Sequence, residues 1–294
     1  MDVARAVDER SGRGVSVGRE GLLGIAHAER ERLGRMIQFA DPETWEQPSA
    51  AAGWWNRDVM AHLAAGDTAA AQLVAGQPAE ELEGYRGDLG DAPFTPDGWN
   101  AWTVNRRAGS PTREIIETWG RAAEALLVYA ARLSDEEWRD ARYAWLEGDI
   151  APRYLIQVRV IEWFLHGEDM RATNGVASGW QVGWQHWPVF LTIDMAVRML
   201  PWALAQVGHD LTGRTVLVDL SGPGAGRWER GLGAGEVPAP DREPDVLITG
   251  RAPQFALVAG KRLSPDDVLS SGNVVLGGDQ ALADLVLRTI RAYP

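Results

Sequence analysis

Residues 160–172 read "VIEWFLHGEDMRA". The stretch is helical in type and mostly apolar, yet it carries Glu162 and His166 one turn apart. Side chains at i and i+4 leave one face of a helix. Leu155, two turns before Glu162, puts an apolar residue on that same face. A carboxylate and an imidazole turned toward a core need partners, because burying either alone is expensive. Far upstream, His62 sits in "DVMAHLAAG" on a stripe shared with Val59, Gly66 and Ala69, whose modest side chains leave space beside the ring. Two imidazoles and one carboxylate facing each other in a bundle core suit a borderline divalent metal. Two His and one Glu with an open fourth position is a catalytic zinc arrangement. Ligand type alone leaves Fe(II), Ni(II) and Mn(II) open. The competing reading is a Glu–His ion pair on a helix surface, with His62 a satisfied core histidine.

Around this triad, Arg159 lies three residues before Glu162 and Asp169 three after His166. Asp169 could orient an imidazole, as carboxylates behind metal-bound histidines do, or it could form an ordinary helix salt bridge. Asp67 reads as solvated. His27, His186 and His209 have no partner at a useful spacing and read as structural or surface residues. "GPGAGRW" (222–228) sets Arg227 beside a Gly-rich turn, from which it could reach a carboxylate over the bundle. That turn lacks the G-x-x-x-x-G-K-[ST] pattern of a phosphate loop.

Apolar periodicity predicts helices over 20–40, 57–75, 110–133 and 151–172. Asn56 is the expected N-cap of the second. Ser110 is the expected N-cap of the third, with Pro111 at its first position and Glu114 placed to close a capping box with Thr112 or Ser110. Pro152 belongs to the first turn of the fourth, and Gly175 ends it. Four long helices imply a four-helix bundle. Between the second and third, a polar stretch from 76 to 97 leaves room for a crossover or a flap, and "DGWNAWTVNRR" (97–107) reads as a short helix. The second half differs. A helix over 187–206 precedes β-like runs at 215–222, 227–232, 245–251 and 273–278, interleaved with helices over 252–260 and 279–291. The expected fold class is α+β, mainly α: a flexible arm over 1–19, a helical bundle over 20–175 and a small α+β domain over 181–294.

Composition narrows the chemistry. Of 294 residues, 45% are hydrophobic and 24% charged, as in an ordinary globular chain. No apolar run or signal core stands out, so cytoplasmic residence and no membrane partner are expected. The net charge of -12 disfavours nucleic acid and anionic membranes. There is no cysteine, so any thiol chemistry must use a thiol from outside the chain. The 14 Trp are many. Most should fill core, and some should line a pocket.

"GWWNRDVMAHLAAGD" (53–67), followed at a distance by "RVIEWFLHGEDMRATNG" (159–175), resembles the mycothiol-dependent maleylpyruvate isomerase family within the DinB-like metal-binding bundles. The "PETWEQPSAAAGW" lead-in (42–54) is similar to that family's approach to its second helix. "VVLGGD" and "LVLRTI" near the end resemble its C-terminal sterol-carrier-like domain. The resemblance covers nearly all of residues 20–294, and R-x-x-E-x-x-x-H-G-x-D is its most specific part. It implies metal ligands at His62, Glu162 and His166, a zinc-like ion, and mycothiol or a similar thiol as cosubstrate. The chain departs from the family pattern at Trp55 and Asn56, where a small polar and an apolar residue are usual; Trp102 and Trp163 add aromatic content. The implied activity is thiol addition to an electrophilic small molecule, giving cis–trans isomerisation or S-transfer. Its rivals are a thiol-independent metal hydrolase and a non-catalytic carrier of metal or an apolar ligand.

Overall fold

The computed structural model describes residues 7–8, 16–146, 148–174, 186–233, 235 and 243–293. The chain forms two compact units, one of Arg19–Gln181 and one of Val182–Pro294 together with Met1–Gly18. Of the expected arm, β1 (Val7–Asp8) and β2 (Ser16–Val17) pair as a short antiparallel ribbon, and the first helix opens at Arg19. The rest of the arm lies outside the described residues, as does the expected stop at Gly175.

The first unit is helical. Its four long helices are α1 (Arg19–Gln38), α2 (Asn56–Val74), α5 (Thr112–Arg132) and α7 (Pro152–Asn174). α1 packs along α7, and α2 packs along α5 and also meets α7. α2 can pack closely on its neighbours because Ala61, Ala64, Ala65, Ala69 and Ala70 are all buried, and small side chains let helix axes approach. Opposite them, α5 buries Ile115, Trp119, Ala122, Leu126 and Ala130 at helical spacing. α7 is buried almost all round: Leu155, Ile156, Val160, Ile161, Trp163, Phe164 and Leu165 are each at most 1% exposed. Each large side chain there contributes about 1.5–3 kcal/mol by leaving water.

Two expectations about helix starts are corrected. Trp55, not Asn56, is the N-cap of α2, and its backbone N–H donates to the Asp58 carboxylate at 2.9 Å. Asn56 is inside the helix, fully buried, and donates from Nδ2 to the Thr44 carbonyl at 2.8 Å, tying α2 to the 3₁₀ turn Pro42–Glu46. α5 starts after Pro111 with no side-chain cap, so Ser110 does not cap it. The Ser110 carbonyl instead accepts from Arg57 Nη2 at 2.9 Å.

The stretch over 76–97 is more ordered than its polar composition implies. It holds α3 (Glu80–Leu89) and leads into α4 (Pro96–Arg106), which packs on α2. Tyr85, Phe94, Trp99 and Trp102 cluster there, with neighbouring ring centroids 5.0 to 5.8 Å apart. After α5 come α6 (Asp135–Asp140), opened by a Ser134–Glu137 capping box, and a hairpin of β3 (Tyr143–Trp145) and β4 (Gly148–Ile150).

The second unit is α+β. α8 (His186–Gln206) precedes β5 (Thr215–Ser221), β6 (Gly226–Gly231), β7 (Val246–Arg251), α9 (Ala252–Ala259), α10 (Pro265–Ser270), β8 (Val274–Gly278) and α11 (Gln280–Thr289). The sheet order is β6-β5-β7-β8, with β5 antiparallel to β6 and parallel to β7. β5 is buried on both faces over Thr215–Val218, as a central strand must be. α8 packs on α9, α11 and β6. It has the length and apolarity of a membrane span, but most of it is buried inside the protein. α10 was not foreshadowed by the periodicity.

Candidate metal centre

α2 carries His62, and α7 carries Glu162 and His166. The two helices pack directly, so residues a hundred positions apart meet. His62 Nε2 lies 2.9 Å from Glu162 Oε2, and His166 Nε2 lies 3.3 Å from that same oxygen. The imidazole centroids are 5.1 Å apart, edge to face. One donor atom from each residue falls within 4.8 Å of the other two, and among the described residues no other His, Cys, Asp and Glu side chains group in this way. Donors about 2.0–2.1 Å from a tetrahedral zinc stand roughly 3.3–3.4 Å from one another. The separation of 3.3 Å matches that value and the one of 2.9 Å lies a few tenths of an ångström short of it, so the donor set suits a metal in type and comes near it in spacing.

Electrostatics favour the ligand forms. Burial pushes the His62 pKa below the usual imidazole value, against the raising effect of Glu162. Burial alone would raise Glu162, but hydrogen bonds and charge from His166 and His62 together hold its carboxyl well below the usual range. A neutral imidazole and an ionised carboxylate are what a metal requires.

Asp169 stands behind His166: the imidazole Nδ1 lies 2.9 Å from Oδ2, with Asp169 only 1% exposed. A carboxylate there keeps the proton on Nδ1, so that Nε2, on the Glu162 side of the ring, is the unprotonated ligand atom. The Asp169 backbone carbonyl also accepts from Ala50 N–H at 3.0 Å, anchoring the loop that leads to Trp54. The Trp54 indole stacks on His166 with centroids 5.9 Å apart and meets His62 at 5.2 Å. It walls both imidazoles, a role its position in the lead-in motif did not reveal. His62 is supported differently, since its Nδ1 is buried without a hydrogen-bond partner.

Arg159 is placed one layer along the bundle. It is 2% exposed, and its Nε donates to Asp67 Oδ1 at 2.6 Å. The expectation that Asp67 is solvated is therefore overturned: it is fully buried, and Trp163 Nε1 donates to its second oxygen at 2.7 Å. Antiparallel packing of α2 on α7 is the reason. Going forward from His62 and backward from Glu162 reaches the same layer. The signal was present as an acid inside an Ala-rich helix opposite an Arg inside an apolar one. Gly66 makes room for the guanidinium, since a Cβ there would lie 2.7 Å from Arg159 Nη1. On the α1 side of α7, buried Arg32 donates to Glu29 at 2.6 and 2.8 Å and leaves no room for a Cβ at Gly167, next to His166.

Arg227 is on β6 in the second unit, exposed, and 3.9 Å from Asp219 on the paired strand. His186 Nδ1 accepts from Gly224 N–H at 3.1 Å. His27 and His209 are exposed.

Residues 26–171 match the family model of the mycothiol maleylpyruvate isomerase N-terminal domain. Among solved structures, a mycothiol-dependent maleylpyruvate isomerase and a histidine-to-alanine mutant of it each share the fold at a TM-score of 0.58 and 15% identity, over 89% of this chain and 93% of theirs. No curated protein matches the sequence.

Proposed function

Because the chain belongs, through its residues 26–171, to the mycothiol maleylpyruvate isomerase family, we propose that it is a metal-dependent enzyme that adds a low-molecular-weight thiol to an electrophilic small molecule. The observation that carries this reading is the convergence of His62 Nε2, Glu162 Oε2 and His166 Nε2 at spacings a metal can bridge. A zinc-like ion held there would supply Lewis acidity, making a thiolate available near neutral pH in a chain that has no cysteine of its own.

The chain's own residues do the rest. His62, Glu162 and His166 would hold the ion from two packed helices, and rigid elements keep ligand geometry better than loops do. Asp169 holds the proton on His166 Nδ1. Trp54 covers the imidazoles and keeps water from one side of the site. The thiol sulfur forms a bond to an alkene carbon as the π bond opens, with the electron pair delocalised into the conjugated acid. Rotation about the resulting single bond, then expulsion of the thiolate, gives cis–trans isomerisation of a maleylpyruvate-type acid. An adduct that gains a proton and persists gives S-transfer instead. We read the second unit as a sterol-carrier-like accessory domain, on the motifs near the chain's end, with 20–175 and 181–294 as the domain limits. We place the protein in the cytoplasm, with a small electrophile and a thiol as its partners.

The test is metal content by mass spectrometry on purified wild-type and Glu162→Ala protein, followed by thiol-dependent turnover of maleylpyruvate. One metal per chain, lost in the variant, together with isomerisation that needs both metal and thiol, is expected. Wild-type protein that takes up no metal after supplementation overturns the proposal.

A further inference from the structure

Arg159 has hydrogen-bonding capacity that its ion pair does not use. Its Nε is committed to Asp67, but its Nη2 is buried and has no hydrogen-bond partner. A buried N–H donor of a charged group left without an acceptor is destabilising by more than a neutral one, and native proteins rarely leave one so. The guanidinium is also kept in place by construction. Gly66, one turn past His62, has no side chain, and a Cβ there would sit 2.7 Å from Nη1 and 3.0 Å from Nη2. Asp67 is in turn held by Trp163 Nε1, so the acid that orients the guanidinium is itself fixed. This layer borders the metal ligands on both helices, since Arg159 precedes Glu162 by three residues and Trp163 follows it directly.

We propose that Arg159 is the carboxylate-recognition group of the metal site: Nη2 donates to a carboxylate of the bound small molecule. The proposal rests on the functional reading above and deepens it. Arginine matches carboxylate geometry and stays charged when buried. Because Asp67 already offsets the guanidinium charge, recognition works through a directed hydrogen bond rather than through net attraction. A guanidinium N–H bonds an ionised carboxylate oxygen more strongly than the carbonyl of an ester or amide of the same shape, which gives the discrimination. The carboxylate could belong to the electrophile or to the thiol, and the two sources are separable.

The experiment is calorimetric titration of the full-length protein, metal-loaded and metal-free, with two matched pairs of probes: maleate against maleamide, and mercaptoacetate against 2-mercaptoethanol. Metal content is measured on every sample. Wild-type protein is expected to prefer the carboxylate of one pair by about tenfold or more, the range of a hydrogen bond between charged groups. The pair that shows the preference identifies the source. In the charge-balanced double variant Asp67→Asn/Arg159→Gln, the preference should fall to within about twofold while metal content is unchanged. The single variant Asp67→Asn leaves the arginine in place and frees its charge, so it should increase the preference; this arm serves if the double variant does not fold. Metal bound normally with no Arg159-dependent preference in either pair overturns the subsite and leaves the metal-enzyme reading standing. Absence of metal overturns that reading, and the preference measured in metal-free protein then decides the subsite by itself.

Discussion

Removing the carboxylate behind His166 is the sharpest test of whether the triad is built to hold metal. In Asp169→Ala, His166 loses the acceptor 2.9 Å from its Nδ1, in a place where Asp169 is 1% exposed and water does not readily replace it. A buried hydrogen bond to a charged group is worth about 1.5–3 kcal/mol. If that energy is used to hold the ring with Nε2 toward the metal, its loss weakens metal binding by roughly 10- to 100-fold, at about 1.4 kcal/mol per factor of ten. Asp169→Asn should fall between, because an amide oxygen still accepts from Nδ1–H but without the charge. The Ala50 bond is to the Asp169 backbone and survives either change, so the Trp54 loop keeps its anchor. Competition with a chelating dye gives the affinity, and thermal melts of metal-free protein report the fold separately. The expected order is wild type, then Asn, then Ala. Wild-type affinity in a folded Asp169→Ala protein would refute the argument, showing that the contact orients nothing the metal needs.

Glycine positions in helices give a paired stability test. Gly34→Ala on α1 meets nothing within 4 Å and should stabilise by about 0.5–1 kcal/mol through helix propensity, whereas Gly66→Ala drives a Cβ to 2.7 Å from Arg159 Nη1 and should destabilise by about 1–3 kcal/mol. Chemical denaturation of both variants checks the sign reversal. Arg32→Met should lower the melting temperature by on the order of 10 °C, since it strands Glu29, 2% exposed, without the cation that holds it. Stability of the metal-free protein should fall on acidification from His62. Its folded pKa is depressed chiefly by burial, so the unfolded chain takes up a proton first as pH drops below the usual imidazole value. The His62 contribution is thus present above about pH 6.5 and lost as pH falls through the folded pKa, at no more than about 1.4 kcal/mol per pH unit. Melts of chelated protein between pH 8 and 5.5 should show a flatter profile for His62→Gln than for wild type, and equal slopes would count against a buried neutral His62.

What could be read without coordinates was whatever one helix encodes about itself. Glu162, His166 and Asp169 share a face because the helical period puts them there, and the apolar residues around them declare that face buried. The four long helices, the change to α+β character, and all four strands of the main sheet likewise follow from local periodicity and turn residues. Helix starts were less legible. Asn56 has the right chemistry for a cap, but a buried acceptor at Thr44 draws it inside α2 and Trp55 takes the cap. α3 was hidden because its sequence is charged on most of its surface, and only its packing through Leu82 and Tyr85 marks it as an element.

The site itself needed the register between helices. That His62 faces Glu162 depends on how α2 slides along α7, which no periodicity within either helix contains. The same register buries Asp67 against Arg159, turning an acid that looks solvated in its own helix into half of an internal ion pair. Trp54 meets the imidazoles from a loop that a backbone bond from Ala50 N–H to the Asp169 carbonyl ties to α7. Residue types and spacing thus determined which chemistry the chain can do, since ligand identity is local. Tertiary packing alone decided where the charges are buried and what meets them, because burial and partnership are properties of two surfaces together.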